Sequence, residues 1–340
     1  MNIEKYEKYG SKSTREGFGL ALAEMGEEHE NLVVIGADVS GSVLTSYFRD
    51  KFPQRFVSVG VAEQNATTIA AGLALSGKIA VFSSYSAFSA FRNADMIRVS
   101  VAYNEANVKI GGGHSGVTVG PDGATHQSLE ELAFLRALPN MTIVVPADYE
   151  ETRKATKAVI EMIGPAFIRF GRPSVPMFTT EDSPFELGKA NVLRQGNDVA
   201  LIACGHLVWQ SLVAAEELSE KYGIEARVIN CHTIKPMDIV TITDAAMQCG
   251  AVVTAEEHQV HGGLGGAVAE VTAKNYPCPI EFVGMRDTFG GSGEPEELMI
   301  KYGLTSKEIV VSALKSIERK KNGFIGYRNV KDVPIVEAIA

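Results

Sequence analysis

The sequence predicts an α/β protein: a parallel sheet covered by helices, followed by a smaller α/β unit. Three observations predict this. Strand-like and helix-like runs alternate from residue 16 to 170 and, after a break, largely again from 199 to 321 of the 340 residues. Most strand runs are continuously apolar, as in strands buried on both faces. Several of them lead into polar, glycine-bearing segments, at the edge where parallel sheets bind ligands.

The elements follow in order. Glu16–Gly26 reads as a helix that Ser13 or Thr14 could cap, and residues 31–37 as a buried strand. Asp38–Ser42 is then a loop at the carboxyl edge of the sheet. Arg55–Val59 alternates and is β-branched, so it predicts a short strand. Gly60 turns the chain, and Glu63 opens the alanine-rich run Ala66–Leu75, long enough for a buried helix. Lys78–Ser83 is a strand, Ala87–Tyr103 one helix, and Asn107–Ile110 a strand leading into the long segment Gly111–Gln127. Leu129–Leu138 is a helix, Met141–Val145 a strand, Tyr149–Ile163 a helix and Ala166–Phe170 a strand. Prolines at 173, 176 and 184 and the polar run to Asp198 then break the rhythm. In the second unit, strands are predicted at 199–204, 225–230, 251–255 and 280–283. Helices are predicted at 207–222, 238–249, 262–274, 294–302 and 306–321. Boundaries follow at 1–175, a linker at 176–195, a second domain at 196–321 and a tail, Asn322–Ala340, without a pattern.

Hydrophobic residues are 45% and charged residues 21% of the chain, the mix of an ordinary globular protein. No apolar run is long enough to span a bilayer, and the start lacks an apolar signal core, so the expected location is cytoplasmic. A net charge of −9 without a basic tract argues against nucleic-acid and anionic-membrane partners. Cys204, Cys231, Cys249 and Cys278 form no CxxC pair and read as reduced, buried small hydrophobes. No metal ligand set is predicted in this chain.

Four stretches could carry chemistry. Glu63 stands where a strand end meets a helix start; its blander reading is a partner for its own helix dipole. Gly111–Gln127 is too long and glycine-rich for a connector. It brings His114, Asp122 and His126 together, and its imidazoles can donate to hydroxyls or exchange protons near neutral pH. Tyr85, Phe88 and Phe91, with Arg92, could stack on a planar heterocycle or simply pack in the core. Arg169 and Arg172 could clamp a phosphate or form surface ion pairs. His258 and His261 precede a glycine-rich helix start that could hold an anion, but GGLGG does not fit GxGxxG, and neither a Walker A sequence nor a GxSxG elbow is present.

Taken together, VGVAEQN, SSYSAFSAFRNADMIR, GGHSGVTVGPDGATHQSLEELAFLRALPNMTIVVPAD and IRFGRP resemble the C-terminal half of transketolase over about residues 10–320. The resemblance is closest to split transketolases, in which two chains share what one chain does elsewhere. It implies a thiamine diphosphate pyrimidine-binding domain followed by the smaller transketolase C-terminal domain. Glu63 then matches the carboxyl that contacts the cofactor's aminopyrimidine, and Phe88 the ring that stacks on it, with Phe91 the alternative and Tyr85 and Arg92 beside it. Asp38 matches a cofactor-side aspartate. His114, Asp122 and His126 match contacts to sugar hydroxyls, the two histidines also acting in catalysis, and Arg15, Ser42 and Arg172 match positions holding the sugar phosphate.

The family's diphosphate- and Mg²⁺-binding signature, a GDG followed some thirty residues later by Asn, is absent. The resemblance therefore implies an N-terminal partner subunit that supplies the Mg²⁺ ligands, an α2β2 heterotetramer, and transfer of a two-carbon ketol unit between sugar phosphates in the pentose phosphate pathway. Three other readings remain: the β subunit of a keto-acid dehydrogenase, a deoxyxylulose phosphate synthase-type enzyme, and a non-catalytic scaffold subunit.

Overall fold

The structure, a computed structural model, describes Tyr6 and residues 9–323. From residue 324 onward the predicted tail lies outside the described residues. In chain order the strands are β1 (Ser11–Ser13), β2 (Leu32–Gly36), β3 (Phe56–Ser58), β4 (Ile79–Tyr85), β5 (Val108–Gly113), β6 (Thr142–Val144), β7 (Ala166–Arg169), β8 (Ser174–Pro176), β9 (Asn191–Arg194), β10 (Val199–Ala203), β11 (Ala226–Asn230), β12 (Thr233–Lys235), β13 (Val252–Gln259) and β14 (Ile280–Met285).

Two main sheets organise them, in the orders β12-β6-β7-β5-β4-β2-β3 and β14-β13-β10-β11-β9, with a small β1-β8 ribbon beside them. Both are parallel apart from one antiparallel edge strand each, β12 and β9. Each edge strand departs from expectation. β9 lies inside the stretch read as linker, yet pairs with β11. β12 was not predicted at all: it comes from the second half of the chain and pairs with β6 in the first sheet.

Helices Thr14–Glu28 and Tyr149–Glu161 cover one face of the first sheet around Phe18, Leu22, Val34, Val81 and Ile168. Their approach is close: a Cβ on Gly17 would lie 2.3 Å from Tyr149 O, so only glycine fits. The predicted capping by Ser13 or Thr14 is not what holds this helix start. Ser13 makes no side-chain cap bond, and the Thr14 hydroxyl instead accepts from Gly171 N at 2.9 Å. Helix Glu63–Leu75 covers the other face. It buries Ala66, Thr67, Ala70 and Ala71, spaced for one stripe, and the small side chains let it sit close to β4. A single apolar cluster runs from this helix through Phe82 and Ile110 to Ile234, Ile242 and Leu264, so the two sheets share one core.

The expected helix Ala87–Tyr103 is broken into Ser86–Ala90, Ala94–Met96 and a π-helical turn, Ile97–Ala102. Asn93 interrupts it: its amide donates back to Ser89 O at 3.3 Å, the kind of local side-chain bond that competes with a continuing helix. The break lets Phe88 and Arg92 face the same site.

Where the halves meet, Glu151 is fully buried; it accepts from Ala147 N at 2.7 Å and from Asn230 Nδ2 of β11 at 2.6 Å. Burial, then the Asp148 carboxylate, push its pKa up to about 8. The folded pKa thus lies above the unfolded one, so the stability tied to this proton is complete below the unfolded pKa and is lost as pH rises towards 8. The melting temperature is expected to fall between about pH 5 and pH 8, and Glu151→Gln to flatten that slope. Thermal melts of both proteins across this range check it; parallel curves would refute it.

Candidate functional site

The site follows from strand order. The chain leaves β2 towards β3 on one side and leaves β4 towards β5 on the other. Because β2 and β4 are neighbours, the connections after them diverge at their carboxyl ends and open a crevice. The segments after β2, β3, β4 and β5 carry Asp38, Glu63, Phe88 and His114 respectively.

Glu63 begins its helix and is 2% exposed. Its Oε2 accepts from Arg92 Nη1 at 2.9 Å, while the Arg92 guanidinium lies 4.3 Å over the Phe88 ring. Phe88 meets His126 edge-on at 5.1 Å, and Tyr85 stacks on His114 at 4.3 Å with the planes 25° apart. Phe91 turns outward, 39% exposed, and takes no part in these ring contacts. Phe88 is therefore the ring that faces Glu63's partner. Asp38 is exposed, in the left-handed region at φ 63°.

His114 is 2% exposed at φ 54°, a strained setting for a residue other than glycine. Burial first, then the charges of Arg15, Arg172 and His126, push its pKa down to about 3, so the ring is neutral at pH 7. Its Nδ1 is buried without a protein partner, as is Arg15 Nε. His126 Nδ1 bonds the Thr125 hydroxyl at 2.9 Å. Arg15 Nη1 donates to Ser42 O at 3.1 Å. Arg172 Nη1 donates to Val119 O at 2.9 Å and lies 3.6 Å from Asp122. Arg15 and Arg172 border a cleft of about 360 Å³ that also meets Glu294 of the second unit.

Arg169 corrects the sequence reading. It is neither a phosphate clamp nor a surface pair but 5% exposed. Its Nε donates to Glu131 Oε1 at 2.5 Å, and its Nη2 to Ser128 O and Glu257 O. Burial lowers the Arg169 pKa, but Glu131 and Glu257 more than offset that and leave it raised. The helix start after His258 and His261 does hold an anion, and it is the chain's own: Glu256 accepts from Leu264 N and Gly265 N at 2.7 and 2.8 Å. Sequence reading missed Ser86, Glu131 and Glu257, which sit behind the site. The signal available for Glu257 was a pair of carboxylates extending an apolar strand run.

The rings, the buried carboxyl and the two histidines therefore share one crevice, with two arginines at its outer end. A buried carboxyl beside an aromatic face, with unpartnered buried nitrogens nearby, fits a flat, polar heterocycle and a hydroxylated ligand. Residues 10–177 match the transketolase pyrimidine-binding domain and residues 188–309 the transketolase C-terminal domain. The chain belongs to the transketolase family, within the thiamine diphosphate enzymes, and is of the kind that forms the C-terminal subunit of a split transketolase. It is 42% identical to a putative transketolase C-terminal section of Methanocaldococcus jannaschii, covering 91% of this chain and 98% of that protein. It is also 42% identical to a 6-deoxy-6-sulfo-D-fructose transketolase subunit of Clostridium sp. strain MSTE9, covering 88% and 92%. A solved split-gene transketolase, described as an inactive β4 tetramer, superimposes with a TM-score of 0.85 at 45% identity over 91% of this chain and 99% of that one. All four cysteines are free and buried, and no helix among the described residues is long and apolar enough to cross a membrane.

Proposed function

We propose that this chain is the sugar-binding and pyrimidine-binding half of a two-chain transketolase that moves a two-carbon ketol unit from a ketose phosphate to an aldose phosphate. The observation that carries the reading is the crevice at the β2/β4 switch point, where buried Glu63 and the Phe88 ring face His114 and His126. Thiamine diphosphate, when bound, supplies the nucleophilic carbon that carries the transferred unit. Glu63 would hold a proton against the pyrimidine ring nitrogen, and Phe88 would stack on the ring face. Neutral His114 has one N–H to give and one nitrogen to accept with, which suits a sugar hydroxyl at neutral pH. His126 and Asp122 would meet further hydroxyls, and His126 can support the oxygen on which charge develops. Arg15 and Arg172, with the Ser42 turn, would receive the terminal anion. Asp38, on the exposed loop after β2, would stand on the cofactor side of the crevice.

The diphosphate and Mg²⁺ would be held by an N-terminal partner subunit in an α2β2 assembly, in the cytoplasm. The relative described as an inactive β4 tetramer supports partner dependence. The boundaries 1–175 and 196–321 are proposed as this chain's two domains, the second extended at its start by β9, which joins its sheet. Relatives named for a sulfosugar and for apulose-4-phosphate make the donor's terminal group the open variable. The deciding experiment mixes this chain with a chain bearing the GDG…N signature, plus thiamine diphosphate, Mg²⁺, an aldose phosphate acceptor and one of three donors: a ketose phosphate, a sulfonated ketose or a keto acid. Transfer from a ketose phosphate in the mixture alone is the expected result. Transfer by this chain without a partner refutes the half-site reading. Activity restricted to the keto acid refutes the transketolase reading, and activity restricted to the sulfonate reassigns the donor.

A further inference from the structure

The segment from Ser115 to Gln127, which carries Asp122 and His126, is held at both ends and in its middle by residues of the second unit. Glu257 on β13 is 5% exposed, and its Oε1 accepts from Thr118 N at 2.7 Å. That approach needs Gly116, at φ 82°, because a Cβ there would lie 2.2 Å from the Glu257 carboxyl. At the other end Gln127, also 5% exposed, donates from Nε2 to Gly291 O at 2.9 Å and to Val117 O at 3.2 Å. Between them the Ser292 hydroxyl donates to Pro121 O at 2.7 Å. Glu257 also reaches the opposite wall of the crevice. Its main-chain oxygen accepts from Arg169, Arg169 holds Glu131, and Glu131 Oε1 accepts from the Ser86 hydroxyl at 3.3 Å. Ser86 begins the helix that carries Phe88.

We infer that Glu257 and Gln127 are positioning residues through which the second unit sets the distance between the Phe88 helix and the His126 segment, and with it the fit of the donor's distal hydroxyls. The inference rests on the function proposed above and deepens it. Neither side chain needs to touch substrate. Glu257 fixes a backbone amide of the segment and the arginine behind the opposite wall; Gln127 fixes the segment's far end. A shift of about 1 Å in groups that orient a substrate can cost about 10²-fold in rate. That loss should be greatest for donors long enough to use Asp122 as well as His126.

Two measurements test this. The first is amide hydrogen exchange of residues 117–127 in this chain alone, for Glu257→Leu, Gln127→Met, Ser292→Ala and the conservative Glu257→Gln. Exchange is expected to quicken in the first three while β4 stays protected, and to return towards wild type in Glu257→Gln, whose amide oxygen can still accept from Thr118. The second is kcat/KM in the mixed two-chain enzyme, for a full-length ketose phosphate and for a truncated donor that lacks the distal hydroxyls and phosphate. The full-length donor is expected to lose roughly tenfold or more and the truncated donor, which makes none of the distal contacts, to lose clearly less. A purely structural role would lower both equally, and that result overturns the inference, as does unaltered exchange. If Glu257→Leu does not fold, Gln127→Met and Ser292→Ala carry the test. If the wild-type mixture transfers nothing, the functional reading falls while exchange still decides whether the second unit braces the segment.

Discussion

Glu63→Gln is expected to lower turnover of the two-chain enzyme about 10²–10⁴-fold, the usual range for removing one acid–base group, with circular dichroism and donor KM little changed. The substitution keeps the side chain's shape in a site that is 2% exposed. It also keeps an oxygen able to accept from Arg92, which stands 2.9 Å away and over the Phe88 ring. The local packing therefore has little reason to change. What is lost is a group able to exchange a proton with a ring nitrogen. Near-native turnover in the Glu63→Gln enzyme would remove the central mechanistic claim. Loss of the fold would assign Glu63 to stability instead.

The largest stability effect is expected at Arg169→Met, about 3–5 kcal/mol, as when one partner of a buried ion pair is removed. The Glu131 carboxylate would stay buried without its cation, and the oxygens of Ser128 and Glu257 would lose their donor. Burial raises the Glu131 pKa; in the native chain the charges of Arg169 and His258 more than offset that and leave it lowered. Removing Arg169 lets the burial effect dominate, so Glu131 takes up a proton more readily in the folded variant. The deficit should then be larger at pH 8 than at pH 5. Urea titrations at both pH values measure it. A difference below about 0.5 kcal/mol, the scale of an ordinary surface change, would mean that the pair is not worth what its burial implies.

How legible this molecule was depended on the range of the forces involved. The strand-to-helix passage from Arg55 to Leu75 could be read because its signal is local: alternation, a turning glycine, then small residues on one stripe. The co-location of Glu63, Phe88, His114 and His126 could be expected because parallel strands deliver their following loops to one edge. The break at Asn93 was hidden because Ala87–Tyr103 has helical composition throughout and only one side-chain bond to Ser89 O diverts it. β12 was hidden because three residues carry no period, and its partner lies in the other half of the chain. Arg169 was misread for a related reason: an arginine at a strand end looks solvent-facing until a distant strand is known to cover it. Glu257 and Gln127 were missed because their telling bonds, to Thr118 and Gly291, span residues far away in sequence.

β12 has a consequence for how the molecule avoids sticking to itself. Without it the parallel sheet would end at β6 with a short bare row of backbone donors and acceptors, open to an added strand. The other margin, β3, is as short as β6, three residues, and stays an edge blunted by that shortness alone. The β6 margin is sealed by Thr233–Lys235, lent from the far half of the same polypeptide and running antiparallel. During synthesis that seal arrives long after the strand it covers. Until then the nascent first half carries that flank open, and the second half, once made, both completes the chain's architecture and closes that flank against neighbours.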